Sequence, residues 1–180
     1  AKNEAFETML EDYYQESLKI HPLTATEIGD NRYNDLFPNT LSDEFKASEN
    51  ALFTKYKTLL SGYKDADLTD DQQLSKAILN WDCDINLERL TYRDELLPIN
   101  QISSLLGTFG QLASGAGAQP FKTVEDYNNW LKRADAYMVW MNSAQERMDE
   151  GITLKTVLPK SLIIKIITQL EVMCKENVED

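Results

Sequence analysis

The side chains with the widest chemical reach are few. A single histidine, His21, stands before Pro22, whereas an HExxH zinc helix needs two histidines at i and i+4 with a glutamate between them. No paired-histidine mechanism can be assembled from this chain alone. His21 closes a helical segment, where a cation complements the carbonyl dipole, so a capping role is expected of it. No serine lies in the Gly-x-Ser-x-Gly setting that exposes a nucleophile. Asp82, Asp84 and Glu88 share one helical segment, but a carboxylate-bridged metal centre also wants Glu-x-x-His partners. A solvated acidic face tempered by Arg89 and Arg93 is the expected reading. Cys83 and Cys174 are read as two free, largely buried thiols, with one disulfide between them as the alternative. Gly107, Gly110, Gly115 and Gly117 match neither a dinucleotide fingerprint nor a phosphate loop, which leaves close helix packing or a mobile loop. Trp81, Trp130, Tyr137 and Trp140 fall at helical spacing and read as core, with Trp130 and Trp140 as candidates for the lining of a groove. No catalytic, cofactor-binding or metal-ligating residue is assigned.

The elements that must position these groups follow from composition and spacing. Hydrophobic residues make up 42% of the 180 and charged residues 27%, a mixture that folds around a core. With 18 Lys+Arg against 30 Asp+Glu the formal charge is −12, which disfavours nucleic acid and anionic membrane surfaces as partners. Seven glycines and five prolines are too few for an all-β architecture with many tight turns. The prolines lie between periodic segments, as helix boundaries require. The opening residues lack the basic and apolar regions of a signal peptide. The longest apolar run, 162–167, is broken by Lys165 and falls short of a membrane span.

The fold class expected is all-α: an irregular array of at least six helices, two of them long, with no internal repeat and no clear domain boundary. Residues 4–19 and 23–28 give a first and a short second helix, the latter stopped by Gly29. An irregular segment follows over 30–39, whose Tyr33, Leu36 and Phe37 are expected to fold back onto the core. A capping box at Thr40 opens a third helix carrying Phe45, Leu52, Tyr56, Leu59 and Leu60. A second box at Thr69 opens a fourth, running about 25 residues to Glu95, with Leu74, Ile78, Trp81, Ile85 and Tyr92 as its apolar face. A fifth helix is expected over 101–113. A box at Thr123 then starts a helix of about seven turns that buries Tyr127, Leu131, Ala134, Tyr137, Met138, Met141 and Met148 and stops at Gly151. Pro159 begins the last helix, whose Leu162, Ile163, Ile166, Ile167 and Leu170 form a stripe wide enough to pack on one side and offer the other to a second copy of the chain.

Four phrases occur in order. The first is Tyr13-Tyr14 with the run from His21-Pro22 through Ala25-Thr26 and Gly29-Asp30 to Arg32-Tyr33. The second is Leu97-Pro98-Ile99-Asn100-Gln101. The third runs from Pro120-Phe121 through Asp126-Tyr127 to Trp130-Leu131-Lys132-Arg133. The fourth is Glu150-Gly151-Ile152 with Val157-Leu158-Pro159-Lys160 and Gln169-Leu170. In content and separation they resemble the N-terminal part of the DUF885 family, bacterial extracytoplasmic proteins, many of them lipoproteins. The resemblance implies a largely helical protein similar to zinc metallopeptidases of the thermolysin-like clan, whose HExxH helix lies in the C-terminal part. It implies that residues 1–180 are a single helical N-terminal region without catalytic activity, a wall or lid of the substrate cleft in a full-length protein. Zinc is then expected in that parent and no cofactor in this chain. The expected partners are the downstream catalytic half and a peptide substrate, at an extracytoplasmic location. A truncation would account for the stop at residues 175–180. The alternative is a free-standing helical interaction module without enzymatic activity.

Overall fold

The computed structural model describes residues 2–102 and 104–174. Its elements are α1 (Glu4–Ile20), α2 (Pro22–Glu27), α3 (Asp43–Ser61), α4 (Asp70–Arg89), α5 (Leu105–Ala113), α6 (Val124–Thr153) and α7 (Lys160–Met173), joined by three short 3-10 turns. All regular structure among the described residues is helical, so the chain is all-α. No helix among them is long and apolar enough to cross a membrane.

The helix starts follow from the local chemistry. Asn3 Oδ1 accepts from the Phe6 N–H at the head of α1, and Pro22, which has no N–H to leave unpaired, opens α2. Thr69 with Gln72, and Thr123 with Asp126, close reciprocal capping boxes at α4 and α6. The cap of α3 is Ser42, whose Oγ accepts from the Phe45 N–H at 3.1 Å, and not the expected Thr40. Thr40 is occupied elsewhere, by the indole N–H of Trp140. The end of α6 is a Schellman motif: Thr156 N–H returns to the Gly151 carbonyl and Lys155 N–H to that of Ile152, with Lys155 in the left-handed region at φ 60. Gly151 therefore lies inside this 30-residue helix and does not end it.

Two apolar clusters hold the array. Phe6 and Met9 of α1, Leu52, Phe53, Tyr56 and Leu60 of α3, and Leu79 and Cys83 of α4 form the first. Phe37, Leu41, Ile99, Leu106, Trp140, Ala144 and Ile166 form the second. Aromatic rings extend the second cluster as a ladder in which Trp130, Phe109, Tyr137 and Trp140 stack face to face, the Phe109–Tyr137 centroids 3.8 Å apart.

Several faces differ from their expected orientation. The stripe of Leu74, Ile78, Trp81 and Ile85 on α4 points outward, as does Tyr92. The buried side of α4 is Gln72, Leu79 and Cys83, because Gln72 holds Asn3 through both amide atoms and fixes the rotation of the helix. This helix also stops at Arg89, short of Glu95: Thr91 Oγ1 bonds the Glu88 carbonyl and a turn replaces the ladder. On α6 Tyr127, Leu131 and Met138 are exposed, while Arg133, Trp140, Ala144 and Gly151 are buried. Helix α5 begins at Leu105, four residues later than expected, and Leu36 and Leu59 face solvent while Phe37 packs inward. On α7 Ile166 is buried and Ile163, Ile164 and Ile167 are not.

Candidate functional site

Residues 34–42 run without regular structure along α6 and, with the start of α3, are laced to it. Lys132 meets Asp35 at 3.5 Å, Trp140 donates to Thr40 at 3.0 Å, Asn39 donates to Ser143 at 2.8 Å, and Arg147 donates to the Leu41 carbonyl at 2.9 Å and to Asp43 at 2.6 Å. At the head of this seam lies Arg133, wholly buried. Its guanidinium donates to the carbonyls of Leu36 and Tyr33 at 2.9 and 2.8 Å, to Gln119 Oε1 at 2.5 Å and to Thr26 Oγ1 at 3.0 Å. Burial pushes its pKa down to about 10, against an opposing pull from the Asp35 charge. Thr26 in turn donates to Asn34 at 2.7 Å. The first and third phrases of the sequence thus meet at one cation.

The second and fourth meet beside Gly151, where Leu97 and Ile99 line one groove with Ile152, Val157 and Leu158. A Cβ on Gly151 would stand 2.7 Å from the Thr156 carbonyl oxygen and 3.3 Å from that of Leu96, so the close approach demands glycine. Beside this contact Glu150 receives Arg93 and Arg147. These residues support a groove of about 270 Å³ between the α6–α7 connection and the segment before α5. Leu96, Leu97, Ile99, Met148, Ile152, Val157, Leu158, Ile163, Ile166, Ile167 and Leu170 line it, with Thr156 as its one polar residue. Such an apolar, concave surface takes hydrophobic groups. Nothing in the spacing of 152–158 announced it, since its lining comes from segments far apart in the chain.

A second, polar cleft of about 210 Å³ lies against Glu49. Arg89 grips both Glu49 oxygens at 2.9 Å, and His21 Nε2 stands 3.8 Å from the same carboxylate. Lys46 bridges Glu95 and the Tyr92 carbonyl. The hydroxyls nearby are already engaged, Ser42 as a cap and Thr40 under Trp140. This is an ion-pair network tying α1, α3 and α4 together. His21 holds the C-cap position of α1 as expected, its backbone N–H closing the helix on Ser17 while its side chain faces Glu49.

Burial holds the His21 pKa below its ordinary 6.5, with Glu49 opposing and Arg89 reinforcing the shift. The folded state therefore takes up this proton later than the unfolded chain as pH falls. The unfolded state binds more protons in that interval, and stability declines as pH drops through the ordinary histidine value and below it. Urea midpoints at three pH values across this window are expected to fall, and His21→Gln is expected to flatten the slope. An unchanged slope in the variant would assign the loss to carboxylates instead.

The remaining candidates are dispersed. Asp82 accepts the Tyr13 hydroxyl at 2.6 Å, Asp84 pairs with Lys57 and Glu88 accepts from Tyr92 at 3.3 Å, so the acidic face is engaged with its neighbours and not bare. Gly107 and Gly110 approach nothing, whereas a Cβ on Gly117 would strike the Gln111 carbonyl oxygen at 2.6 Å. Both thiols are free. Cys83 is buried as expected, its pKa pushed up to about 11 by burial and by the Asp82 and Asp84 charges; Cys174 is exposed, against expectation. A disulfide reagent is therefore expected to label one thiol per native chain at once and the second only on unfolding. Loss of the rapid phase in Cys174→Ser would confirm the assignment, and its survival would refute it.

A family model described as "Bacterial protein of unknown function (DUF885)" matches residues 22–180, a span that opens at the turn of the first phrase and takes in the other three. No curated protein and no solved structure matches the chain.

Proposed function

This chain belongs to the DUF885 family, and on that premise we propose that residues 1–180 form a non-catalytic helical wall of a substrate cleft. In this reading the groove between α6 and α7 takes apolar side chains of a peptide, and zinc-dependent hydrolysis is supplied by a downstream part of the same protein, outside the cytoplasm. The observation that carries the reading is the groove itself, an almost wholly apolar concavity held open at Gly151 and Leu96. The zinc and the location rest on the family resemblance. Among the described residues no group of three or more His, Cys, Asp and Glu side chains is placed to hold a metal. The chain's one histidine faces a carboxylate already gripped by Arg89.

A fluorescent peptide rich in Leu and Phe is expected to bind saturably and to remain uncleaved. Ile167→Asp, on the open wall of the groove, is expected to weaken binding about tenfold, equivalent to about 1.4 kcal/mol. Equal binding of a polar peptide, or no effect of Ile167→Asp, would overturn the groove reading. Elemental analysis finding one tightly held zinc per chain, or cleavage of the peptide, would overturn the non-catalytic one. A reading frame that continues past Asp180 into an HExxH helix supports the downstream half. A frame that ends there favours a free-standing interaction module.

A further inference from the structure

The outer face of α4 carries a pattern independent of the groove. Leu74, Ile78, Trp81 and Ile85 are 61, 58, 65 and 43% exposed and recur at steps of four, three and four. That is the a/d spacing of a two-heptad seam, with isoleucine at both a positions and leucine and tryptophan at d. Isoleucine at a with leucine at d favours pairing with a single further helix. The seam is bounded at each end by a polar residue in register, Asp71 before it and Glu88 after it. It is not an exposed remnant of the core, because α4 already buries its opposite side against α1 and α3 through Leu79 and Cys83.

The charges on the rim decide what covers it. The positions that bound and flank the seam include Asp70, Asp71 and Glu88, none of them in an ion pair among the described residues, together with Asp82, whose carboxylate takes the Tyr13 hydroxyl, and Asp84, which pairs with Lys57; the one cation in the e and g register, Arg89, is held by Glu49. We infer that α4 is a docking site for a basic amphipathic helix of a partner polypeptide, with Leu or Ile on its seam and Lys or Arg on its flanks. A second copy of the chain is a poor occupant, since it would set carboxylates against carboxylates between molecules of charge −12. The same rim repels an anionic membrane. From Leu74 to Ile85 the seam is about 16 Å long, so the contact is short and its affinity depends strongly on salt.

The probe is a labelled 21-residue helical peptide with Leu and Ile at a and d and Lys at e and g, compared with its twin carrying Glu at e and g. The Lys peptide is expected to bind at least about tenfold more tightly at low salt and to lose most of this advantage in high salt. Ile78→Asp is expected to abolish binding, and Asp70→Lys with Glu88→Lys to reverse the preference. All three positions are exposed, and circular dichroism checks that the helices persist. Ile167→Asp, in the groove, is expected to leave this binding untouched, which separates failure here from failure of the cleft reading. Equal binding of the two peptides, or indifference to Ile78→Asp, would overturn the inference. So would a concentration-dependent dimer that Ile78→Asp dissolves, which makes a second copy the occupant. Binding to phosphatidylserine vesicles that Ile78→Asp removes would make the occupant a lipid surface.

Discussion

Arg133→Met is expected to destabilise the chain by about 3–5 kcal/mol, a large share of the roughly 5–15 kcal/mol that holds a domain of this kind together. Methionine matches much of the volume and removes the cost of burying a charge, so packing is not the issue. The loss lies in the acceptors left behind. The carbonyls of Tyr33 and Leu36 and the Gln119 oxygen all point at the guanidinium, and each orphaned buried acceptor costs about 1–3 kcal/mol. Thr26 suffers least, since it also bonds Pro22 and Asn34. Lysine retains the charge but presents its donors from a single point and cannot reach four acceptors spread around a planar fork, so Arg133→Lys is expected to cost about 2 kcal/mol or more. Urea denaturation measures both. A loss under about 1 kcal/mol for methionine would mean that water replaces the guanidinium and that the seam along α6 holds without it.

The existence of the helices was legible because their caps are local. Thr69 with Gln72 and Thr123 with Asp126 declare a start with four residues, and the start is where the structure has it. Rotation of a helix about its axis is not local. The apolar spacing on α4 is real, yet Leu74, Ile78, Trp81 and Ile85 face outward, because a glutamine on the opposite side makes four hydrogen bonds to Asn3, Glu7 and Thr69. Periodicity identifies a face that wants covering and is silent on what covers it. On α6 the apolar spacing leaves Arg133 out of the face expected to be buried, whereas Arg133 is buried by acceptors from residues about a hundred positions away in the chain. Thr40 and Ser42 both satisfy the capping pattern, and only the arrival of Trp140 distinguishes them.

The four phrases that suggested the family mark contacts between distant segments. They converge in pairs, the first with the third at Arg133 and the second with the fourth in the groove, whose lining takes Leu97 and Ile99 from one and Ile152, Val157 and Leu158 from the other. Each pair fixes a long-range contact, which explains why separated short phrases carry a recognisable signal. The groove was not legible at all. It is made where these fixed contacts leave an apolar wall without a facing element, and no spacing within one segment encodes such a gap.

Trp140→Ala tests whether the core and the groove are one mechanical unit. Trp140 is 1% exposed, shares a cluster with Ile99 and Ile166, stacks on Tyr137 at 6.0 Å and donates to Thr40 at 3.0 Å. Removing an indole from such a site costs about 3–5 kcal/mol through lost contacts and the cavity left behind. Trp140→Phe, which keeps most of the ring packing and loses the N–H, is expected to cost about 1–2 kcal/mol. A cycle of Trp140→Phe with Thr40→Val isolates the hydrogen bond, with a coupling of about 1 kcal/mol. The functional consequence follows from the shared residues. Ile99 and Ile166 touch the tryptophan cluster on one side and line the groove on the other, so collapse around the missing ring shifts the groove wall. Affinity for the apolar peptide is expected to fall in Trp140→Ala although Trp140 itself does not line the groove, and to be kept in Trp140→Phe. Unchanged peptide binding in a destabilised Trp140→Ala chain would show that the groove is shaped by Gly151 and Leu96 alone.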